Sequence, residues 1–404
     1  MSGLPEKRWR KWLTRLGLAI LFLAVAVGGV AMYLDLHLFL RPMPQELDTA
    51  IRQQVEAAKA PGAAVAVFTS DRMVFSNGYG FANVEEQRAV TPDTLFQVAS
   101  VSKLATATAV MRLYEQGGFQ LDDDVSQYLP FTVRNPRFPD TPITFRMLLA
   151  HTGSIGDGPA YDASYTLDRT EDPTETLGEF LQAYFEPGGR HYDAEKNYLD
   201  LEPGTKYEYS NVGFGLLGYL VESISGQPFD AYCKKEVFEP LGMSSTVWFN
   251  RDVDKSRAAM PYGYDMLHRS YVPLGYYGFS NYPDGMLKTS ANDFARFLQM
   301  FLNRGQTPDG TQFLQPQTVE EMLRVQYPES GEPVGLAWHM DTDHHLYTHS
   351  GGDPGVSTIV YISMEKQCGY ILFTNGGGGE GLRSFVGFIK MVENLSPRLL
   401  EAAQ

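Results

Sequence analysis

Strand-like runs of small and apolar residues occur near both ends of this chain. Near the start, Ala63–Thr69 and Met73–Tyr79 flank a Ser-Asp turn and are typical of a β-hairpin. The same pattern returns near the end of the chain, in Leu346–His349, Ser357–Ile362 and Gly369–Thr374. The long stretch between them is helical and loop-rich, so strands from both ends are expected to join one antiparallel sheet. This pattern predicts an α+β fold with a mostly helical lobe inserted at about residues 85–340.

Helical patterns flank these strands. Apolar residues recur every four positions over Glu46–Lys59, and Pro61-Gly62 ends that helix. A final helix is expected over about Gly381–Glu393. Cys233 and Cys368 are interpreted as buried thiols, with a disulfide as the less favoured alternative.

The N-terminal segment carries a membrane-targeting pattern. Residues 1–15 form a basic tail of net charge +4, from five Lys or Arg residues and one Glu. Residues 16–34 contain no charged side chain. At about 1.5 Å of rise per residue, a helix of this length nearly spans a hydrocarbon core of roughly 30 Å. We therefore expect a transmembrane signal anchor over residues 16–40 and a linker over residues 41–45.

The basic tail decides the orientation of this anchor. Positive residues stay on the cytoplasmic side, so the rest of the chain is expected on the far side of the membrane, periplasmic or extracellular in a bacterium. A cleaved signal peptide is the alternative, because small residues at 24–26 and 29–31 have cleavage spacing. The apolar run exceeds the usual length of a signal core, which favours the anchor.

Residues 46–404 are expected to form one folded domain. The chain has 404 residues, with 43% apolar and 20% charged side chains, which is typical of a globular protein. The net charge of -15 argues against a nucleic-acid partner, whose phosphates require a basic surface. No cofactor or metal is predicted, because the polar residues Asp341, Asp343, His344 and His345 lack the spacing of metal-ligand motifs.

Ser100 and Lys103 are the first candidates for catalysis. They are three residues apart at the start of a predicted helix, so they share a face and the amine can reach the hydroxyl. The N-terminus of that helix supplies free N–H groups and a partial positive charge where an oxyanion would form. A second Ser-x-x-Lys, Ser363–Lys366, lies where a strand turns into a loop, so its side chains are not expected to share a face.

Tyr209-Ser210-Asn211 is the second candidate and the only Tyr-x-Asn in the chain. Alternation at this junction between loop and helix is expected to point Tyr209 and Asn211 the same way. A phenol can shuttle a proton, and a carboxamide can bind a substrate amide or the lysine. Without Ser100, a buried tyrosine beside a helix cap would be the favoured interpretation.

His349-Ser350-Gly351-Gly352 is the third candidate, at the end of a predicted strand. Glycines there would let a substrate approach the backbone closely. His151-Thr152-Gly153 is a rival match, but it follows a predicted helix, so His151 is interpreted as a structural residue that ends the helix. The strand context favours His349, although a lone histidine is more often a satisfied hydrogen-bonding residue.

In this order, the three motifs together resemble the serine β-lactamase and penicillin-binding protein family, especially its class C and esterase-like branch. The resemblance covers about residues 45–395. It implies a β-lactamase/transpeptidase-like fold and acyl transfer through a covalent serine ester.

The resemblance also implies a role for each candidate residue. Ser100 is the nucleophile and Lys103 its base, which requires burial to lower the pKa of the lysine. Tyr209 relays protons to the leaving group, and Asn211 holds the substrate amide or Lys103. The backbone N–H groups of Ser100 and Gly352 form the oxyanion hole. The strand segment beside the substrate consists of the catalytic candidate His349 and the substrate-binding candidates Ser350, Gly351 and Gly352.

His349 stands where many relatives place a lysine that binds the substrate carboxylate. This difference favours a carboxylesterase, a D-amino-acid peptidase or a related amidase, with a β-lactamase or D-Ala-D-Ala carboxypeptidase as the alternative. A non-catalytic, membrane-tethered binding or assembly protein on the same fold is the alternative of another class. The expected partners are a small-molecule or peptide acyl substrate and the membrane.

Residues 157–201 are rich in Tyr, Asp and Glu and precede the tyrosine motif. Long loops are often functional, so one hypothesis is that this segment forms a lid over the site and sets its specificity. A solvated surface insertion is the alternative.

Overall fold

The computed structural model describes residues 42–166, 172–342, 345–377 and 382–403. The predicted basic tail and transmembrane anchor, residues 1–40, lie outside the described residues. Within the described ranges, no helix combines the length and the apolar character needed to cross a membrane.

The strands form one large sheet and two small pairs. In chain order they are β1 (Gly62–Thr69), β2 (Met73–Asn83), β3 (Arg88–Ala89), β4 (Phe96–Gln97), β5 (Tyr262–Asp265), β6 (Ser270–Pro273), β7 (Lys288–Thr289), β8 (His339–Asp341), β9 (Leu346–Asp353), β10 (Val356–Ser363) and β11 (Cys368–Thr374). The large sheet is antiparallel, in the order β3-β2-β1-β11-β10-β9-β8. The prediction of an α+β fold with a sheet built from both chain ends is confirmed.

The centre of this sheet joins the two ends of the chain. Ala63 on β1 pairs with Thr374 on β11, and Thr69 pairs with Cys368. Almost every residue of β1 is buried, on both faces. A strand covered on both sides needs no polar face, which explains the continuous run of small and apolar residues in its sequence.

Helices cover both faces of the sheet and fill the inserted lobe. In chain order they are α1 (Leu47–Ala58), α2 (Ser102–Glu115), α3 (Phe145–Leu149), α4 (Pro159–Ala163), α5 (Leu177–Phe185), α6 (Asn211–Ser225), α7 (Phe229–Cys233), α8 (Ala291–Leu302), α9 (Pro316–Leu323) and α10 (Leu382–Ala402). α1 and α10 pack on one face of the sheet, and α8 packs on the other. α2 and α6 contact each other within the lobe.

Three elements, β2, β9 and α10, extend four or more residues past their predicted ends. β9 continues through Asp353 instead of ending at His349, because the glycines at 351 and 352 remain paired with β10. α10 continues past Glu393 to Ala402 with Pro397 inside it. Glycine and proline favour element ends, which is why the sequence predicted earlier ends here.

The described residues of the segment 157–201 are not simply a solvated surface insertion. Phe180, Leu181, Tyr184 and Phe185 of α5 are buried in the main core of the lobe. Its first part, up to Thr166, instead borders the candidate site described below. The two cysteines are free and buried, in agreement with their interpretation as buried thiols.

Candidate active site

Ser100 lies in a 3₁₀ turn, Ala99–Val101, that leads directly into α2. The Val98 N–H donates to the Leu287 carbonyl over 2.9 Å and so fixes the start of the turn next to β7. Ala99 has a φ of 48°, a left-handed conformation that costs free energy for a residue with a side chain. The first N–H groups of such a turn have no acceptor inside it, which leaves the Ser100 amide to bind a ligand.

The Lys103 amine connects the first two sequence motifs. Its side chain is fully buried, and Nζ donates to Ser100 Oγ over 3.1 Å and to Asn211 Oδ1 over 2.7 Å. Nζ also donates to the Asp284 backbone carbonyl over 2.9 Å, and the carboxylate of the same residue lies 3.5 Å away. The distance from Nζ to the centroid of the Tyr209 ring is 4.9 Å. Ser100, Lys103 and Asn211 therefore lie together, as their motifs predicted.

The charge of Lys103 differs from the sequence-based expectation. Burial does act to lower the pKa of Lys103, but Tyr209 and Asp284 act against it and the pKa ends above its usual value. Part of this opposing effect comes from a carboxylate at 3.5 Å, which the sequence did not indicate. The expectation that burial would lower the pKa of this lysine is therefore wrong, and Lys103 is an ammonium at neutral pH.

Tyr209 packs against the histidine that the sequence analysis assigned a structural role. His151 follows α3 with a φ of 55°, and its ring stacks on Tyr209 with centroids 4.3 Å apart. His151 Nδ1 accepts the Ser210 N–H over 3.1 Å, so the neutral ring carries its proton on Nε2. Burial lowers the pKa of His151 well below its usual value. His151 is thus a neutral residue that positions the tyrosine.

Tyr209 and Lys103 titrate as a coupled pair. Burial raises the pKa of Tyr209, although the charge of Lys103 and hydrogen bonds with Lys103 and Ser100 act to lower it. Because the pKa of each partner is above its usual value, both are protonated at neutral pH. The first proton to leave belongs to the pair rather than to either residue.

Asn211 is the first residue of α6, and its amide is oriented by two partners. Its Oδ1 accepts from Lys103, and its Nδ2 donates to Asp157 Oδ2 over 2.8 Å. The Asp157 carboxylate also accepts the backbone N–H groups of Asn211 and Val212, each over 2.9 Å. These donors are the free N–H groups at a helix start, which a carboxylate stabilises. Asp157 therefore fixes Asn211 toward the lysine.

β9 presents its glycines to Ser100 in two different ways. A Cβ at Gly351 would lie 2.4 Å from the Val98 carbonyl oxygen and 3.0 Å from the Ser100 nitrogen, so only glycine allows this close approach. A Cβ at Gly352 would meet nothing within 4 Å. Ser350 is exposed and lines a groove with Phe388 on the α10 face of the sheet. Its side chain is therefore not brought to the nucleophile.

His349 is buried on the same face of β9 as Gly351, but it is not hydrogen-bonded to the nucleophile. Its Nδ1 lies 2.8 Å from the Ser350 carbonyl, which can only accept, so Nδ1 carries the proton. Its Nε2 has no hydrogen-bond partner among the described residues. Burial lowers the pKa of His349 well below its usual value, so the ring is neutral.

Sequence reasoning missed the carboxylates and phenols on the far side of Lys103. Asp284, Asp353, Tyr161 and Tyr165 form a connected, largely buried group behind the amine. Asp284 stands in Pro-Asp-Gly, which is typical of an exposed turn. The tyrosine-rich start of the segment 157–201 was the one available signal, and it pointed to the right region.

No set of three or more His, Cys, Asp or Glu side chains suited to a metal ion occurs within the described ranges. Asp343 and His344, two of the four residues considered as ligands, lie outside the described residues.

The chain has relatives of known family. A family model described as Beta-lactamase matches residues 47–385. Penicillin-binding protein 4 of Amycolatopsis lactamdurans is 32% identical over 339 residues, which cover 78% of this chain and 81% of that protein. Protein flp of Staphylococcus aureus is 24% identical over 332 residues, which cover 82% of this chain. The match spans 62% of protein flp, less than two thirds of its length.

Solved structures share the fold. The octameric penicillin-binding protein homologue from Pyrococcus abyssi has a TM-score of 0.70 and 26% identity, covering 87% of this chain and 77% of that one. The hydrolase EstCE1, which has promiscuous acyltransferase activity, has a TM-score of 0.67 and 19% identity, covering 91% and 99%. The D-amino acid amidase from Ochrobactrum anthropi has a TM-score of 0.65 and 20% identity, covering 87% and 99%. The last two likenesses concern the fold alone.

Proposed function

We propose that this chain, which belongs to the β-lactamase family of serine hydrolases, cleaves an ester or amide through an acyl-enzyme on Ser100. The family match confirms the resemblance predicted from the three motifs. The observation that carries the proposal is the buried Lys103 amine, 3.1 Å from Ser100 Oγ and 2.7 Å from Asn211 Oδ1. Burying an ammonium is costly, and a protein that only binds would have no use for one against a serine hydroxyl.

Acylation begins when Ser100 Oγ attacks the carbonyl carbon of the substrate. Lys103 already carries its full set of protons, so Tyr209, as a phenolate beside the ammonium, takes the proton from Oγ. The N–H groups of Ser100 and Gly352 donate to the oxyanion of the tetrahedral intermediate. The proton on Tyr209 then passes to the leaving alcohol or amine as its bond to the acyl carbon breaks.

Deacylation repeats these steps with water. Tyr209, again a phenolate, takes a proton from the water molecule that attacks the acyl carbon. When the ester bond breaks, Tyr209 returns the proton to Ser100 Oγ, and the carboxylic acid leaves. Because the phenolate is scarce at neutral pH, this mechanism is faster at alkaline pH.

The state of His349 supports an ester or amide rather than a lactam or a D-Ala-D-Ala peptide. The latter two substrates carry a carboxylate, which a permanent cation would bind. His349 is neutral, and its Nδ1–H is directed to the Ser350 carbonyl, so it offers neither charge nor a free donor. The shared fold of EstCE1 and the D-amino acid amidase is consistent with an ester or amide substrate.

We further propose that residues 16–40 anchor the protein in a membrane, with the catalytic domain on the side opposite the cytoplasm. The proposal rests on the charge-free run and its basic flank. Arg398 on α10 donates to the carbonyls of Pro44 and Gln45, which ties the linker to the domain beside that helix. Alkaline washing of membranes should leave the full chain behind and release a chain without residues 1–40.

Covalent labelling tests the proposed chemistry. The full chain in detergent is incubated with a fluorophosphonate, which phosphonylates activated serines with loss of fluoride, and separately with benzylpenicillin. We expect one fluorophosphonate adduct that maps to Ser100 by intact mass and peptide mapping. A rapid, stoichiometric penicillin adduct that hydrolyses within minutes would instead favour the β-lactamase alternative.

Two alanine variants form the matched control. Ser100→Ala should abolish labelling and turnover of short acyl esters. Ser363→Ala removes the serine of the other Ser-x-x-Lys and should change neither. If wild-type Ser100 is not labelled by either reagent, the enzyme proposal fails in favour of a tethered binding protein.

A further inference from the structure

Buried hydrogen bonds continue from Lys103 into a region that the mechanism above does not use. Asp284 is 1% exposed, and its Oδ2 lies 3.5 Å from Lys103 Nζ. Tyr161 donates to the same oxygen over 2.8 Å, and Asn281 donates to the other oxygen over 3.0 Å. A carboxylate with partners on both oxygens is held in one position.

These hydrogen bonds lead on to the strand beside the nucleophile. The Tyr161 and Tyr165 hydroxyls are 3.1 Å apart, and Tyr165 Oη lies 3.0 Å from Asp353 Oδ1. Asp353 is the last residue of β9, two residues after Gly351 and on the same face. The group therefore links the lysine on one side of Ser100 to the strand on its other side.

Counting protons shows where the negative charge of this group lies. Three contacts follow one another from Asp284 to Tyr161, from Tyr161 to Tyr165 and from Tyr165 to Asp353. Each of these oxygen–oxygen contacts needs one proton. The two phenols supply two protons, so one carboxyl must supply the third. Burial raises the pKa of Asp353 to about 7 and that of Asp284 to about 6. Near neutral pH the proton is therefore held mainly at Asp353, and Asp284, beside the ammonium, is the more fully charged of the two carboxyls.

The other titratable groups around Lys103 do not compete for this role. His151, His339 and His349 have pKa values that burial lowers, so they are neutral. Asp157 is directed to the N–H groups at the start of α6. Among the described residues, Asp284 provides the one carboxylate within 4 Å of the amine.

We propose that Asp284 is a positioning residue, whose buried carboxylate holds the Lys103 ammonium against Ser100 during acyl transfer. The hydrogen bonds through Tyr161 and Tyr165 to the partly protonated Asp353 favour the negative charge at Asp284 near neutral pH. The inference rests on the proposed function, because it assumes that Ser100 is the nucleophile. Its consequence is that proton loss from the Lys103–Tyr209 pair occurs at higher pH than it would without Asp284.

The experiment measures how the rate of fluorophosphonate labelling of Ser100 changes with pH. This readout requires an activated serine and no knowledge of the natural substrate. In Asp284→Asn, the amine loses its negative partner, so the pair loses its proton at lower pH. We expect the ratio of the labelling rate at pH 7 to that at pH 9.5 to rise at least tenfold over wild type. A purely structural role would lower both rates and leave the ratio unchanged.

Two further variants keep the test decisive. Tyr161→Phe removes the hydroxyl that donates to Asp284 and should raise the same ratio by a smaller factor. If Asp284→Asn does not fold, Tyr161→Phe serves as the test in its place. Asp293→Asn is the matched control, since Asp293 is 5% exposed and pairs with Arg296 away from the site. This control should leave the ratio at the wild-type value.

The outcomes separate this inference from the proposed function. If wild type is labelled but the ratio is unchanged in Asp284→Asn, the inference alone is overturned. If Asp284→Asn does not fold, an unchanged ratio in Tyr161→Phe has the same consequence. Absence of labelling in wild type at every pH overturns the proposed function, and the inference falls with it. A raised ratio in Asp284→Asn with an unchanged ratio in Asp293→Asn supports both.

Discussion

Two lysines of this chain are buried, and their surroundings drive their charge in opposite directions. Lys103 is 0% exposed and Lys288 is 4% exposed, so burial does not distinguish them. Lys103 contacts a carboxylate, and its pKa lies above the usual value. Lys288 donates to the Trp248 carbonyl over 3.0 Å, has no carboxylate within 4 Å among the described residues, and burial lowers its pKa to about 7.

Burial alone therefore does not set the charge of a lysine. Loss of hydration disfavours the ammonium at both positions, which is the effect expected from the sequence. At Lys103, Tyr209 and the carboxylate of Asp284 at 3.5 Å together outweigh that effect, since electrostatic attraction is strong where water is excluded. A close phenol and a carboxylate therefore separate the ammonium at the candidate active site from an amine that is half neutral at pH 7.

Exchanging each lysine for methionine tests directly whether the two buried amines have different roles. Lys103→Met should lower fluorophosphonate labelling of Ser100 by roughly a thousandfold or more, because the amine contacts the nucleophile and the proton relay. Lys288→Met should change labelling less than threefold, because its amine contacts only structural groups. Equal losses in the two variants, measured as second-order labelling rates, would remove the distinction.

The pH dependence of wild-type activity reports the charge of the Lys103–Tyr209 pair. The Lys103–Tyr209 pair is fully protonated at neutral pH, because the pKa of each partner is above its usual value. The active form lacks one proton, so kcat/KM for an ester should rise about tenfold per pH unit, a hundredfold between pH 7 and pH 9. A value of kcat/KM that does not change over this range would mean that the Lys103 amine is already neutral at pH 7, as about half of the Lys288 amines are.

Backbone approach is a further difference, since β9 comes close to the turn that carries Ser100. In Gly351→Ala, the new Cβ would collide with the Val98 carbonyl, and β9 would have to move away from the nucleophile. We expect kcat/KM to fall on the order of thirtyfold, less than the hundredfold or more for complete loss of an oxyanion donor. Gly352→Ala, whose Cβ meets nothing within 4 Å, should lose less than threefold. Similar losses in the two variants would contradict the close approach.

The smallest effect concerns stability and belongs to Lys288. Its pKa is lower in the folded chain than in the unfolded chain, so unfolding takes up a proton between about pH 7 and pH 10.5. The resulting loss of stability is greatest below about pH 7 and decreases as pH rises towards 10.5. The free energy of unfolding gained by Lys288→Met should therefore shrink by roughly 2 kcal/mol from pH 7 to pH 9. Urea unfolding of both proteins at the two pH values measures this change, and a gain that does not depend on pH would contradict it.

The fold was largely predictable because it depends on local patterns. α1 ends within one residue of the predicted bounds, since Lys59 adopts a left-handed conformation and Pro61 follows. The strands were recognisable from runs of apolar residues. The extension of β9 was not, because glycines at 351 and 352 are typical of turns and are kept in the strand only by pairing with β10.

The site was predictable as far as motif spacing reached. Ser100, Lys103 and Asn211 meet at one amine, as the motifs suggested. Asp284 was not predictable, because its contact with Lys103 joins residues 181 positions apart and its local sequence is that of a turn. Missing this contact contributed to the wrong expectation for the charge of Lys103, together with the effect of Tyr209 on the same amine.

The pairing of β1 with β11 has a consequence for how the protein is made. Ala63 can pair with Thr374 only after the later residue has been synthesised. At roughly 5–20 residues per second, synthesis of the intervening chain takes about 15 to 60 seconds. During that time the β1–β2 hairpin presents an unpaired edge of small and apolar residues, which invites pairing with other nascent chains. The rate of synthesis therefore limits how soon β11 can pair with β1. A chain that stopped before Cys368 would leave this edge of β1 unpaired.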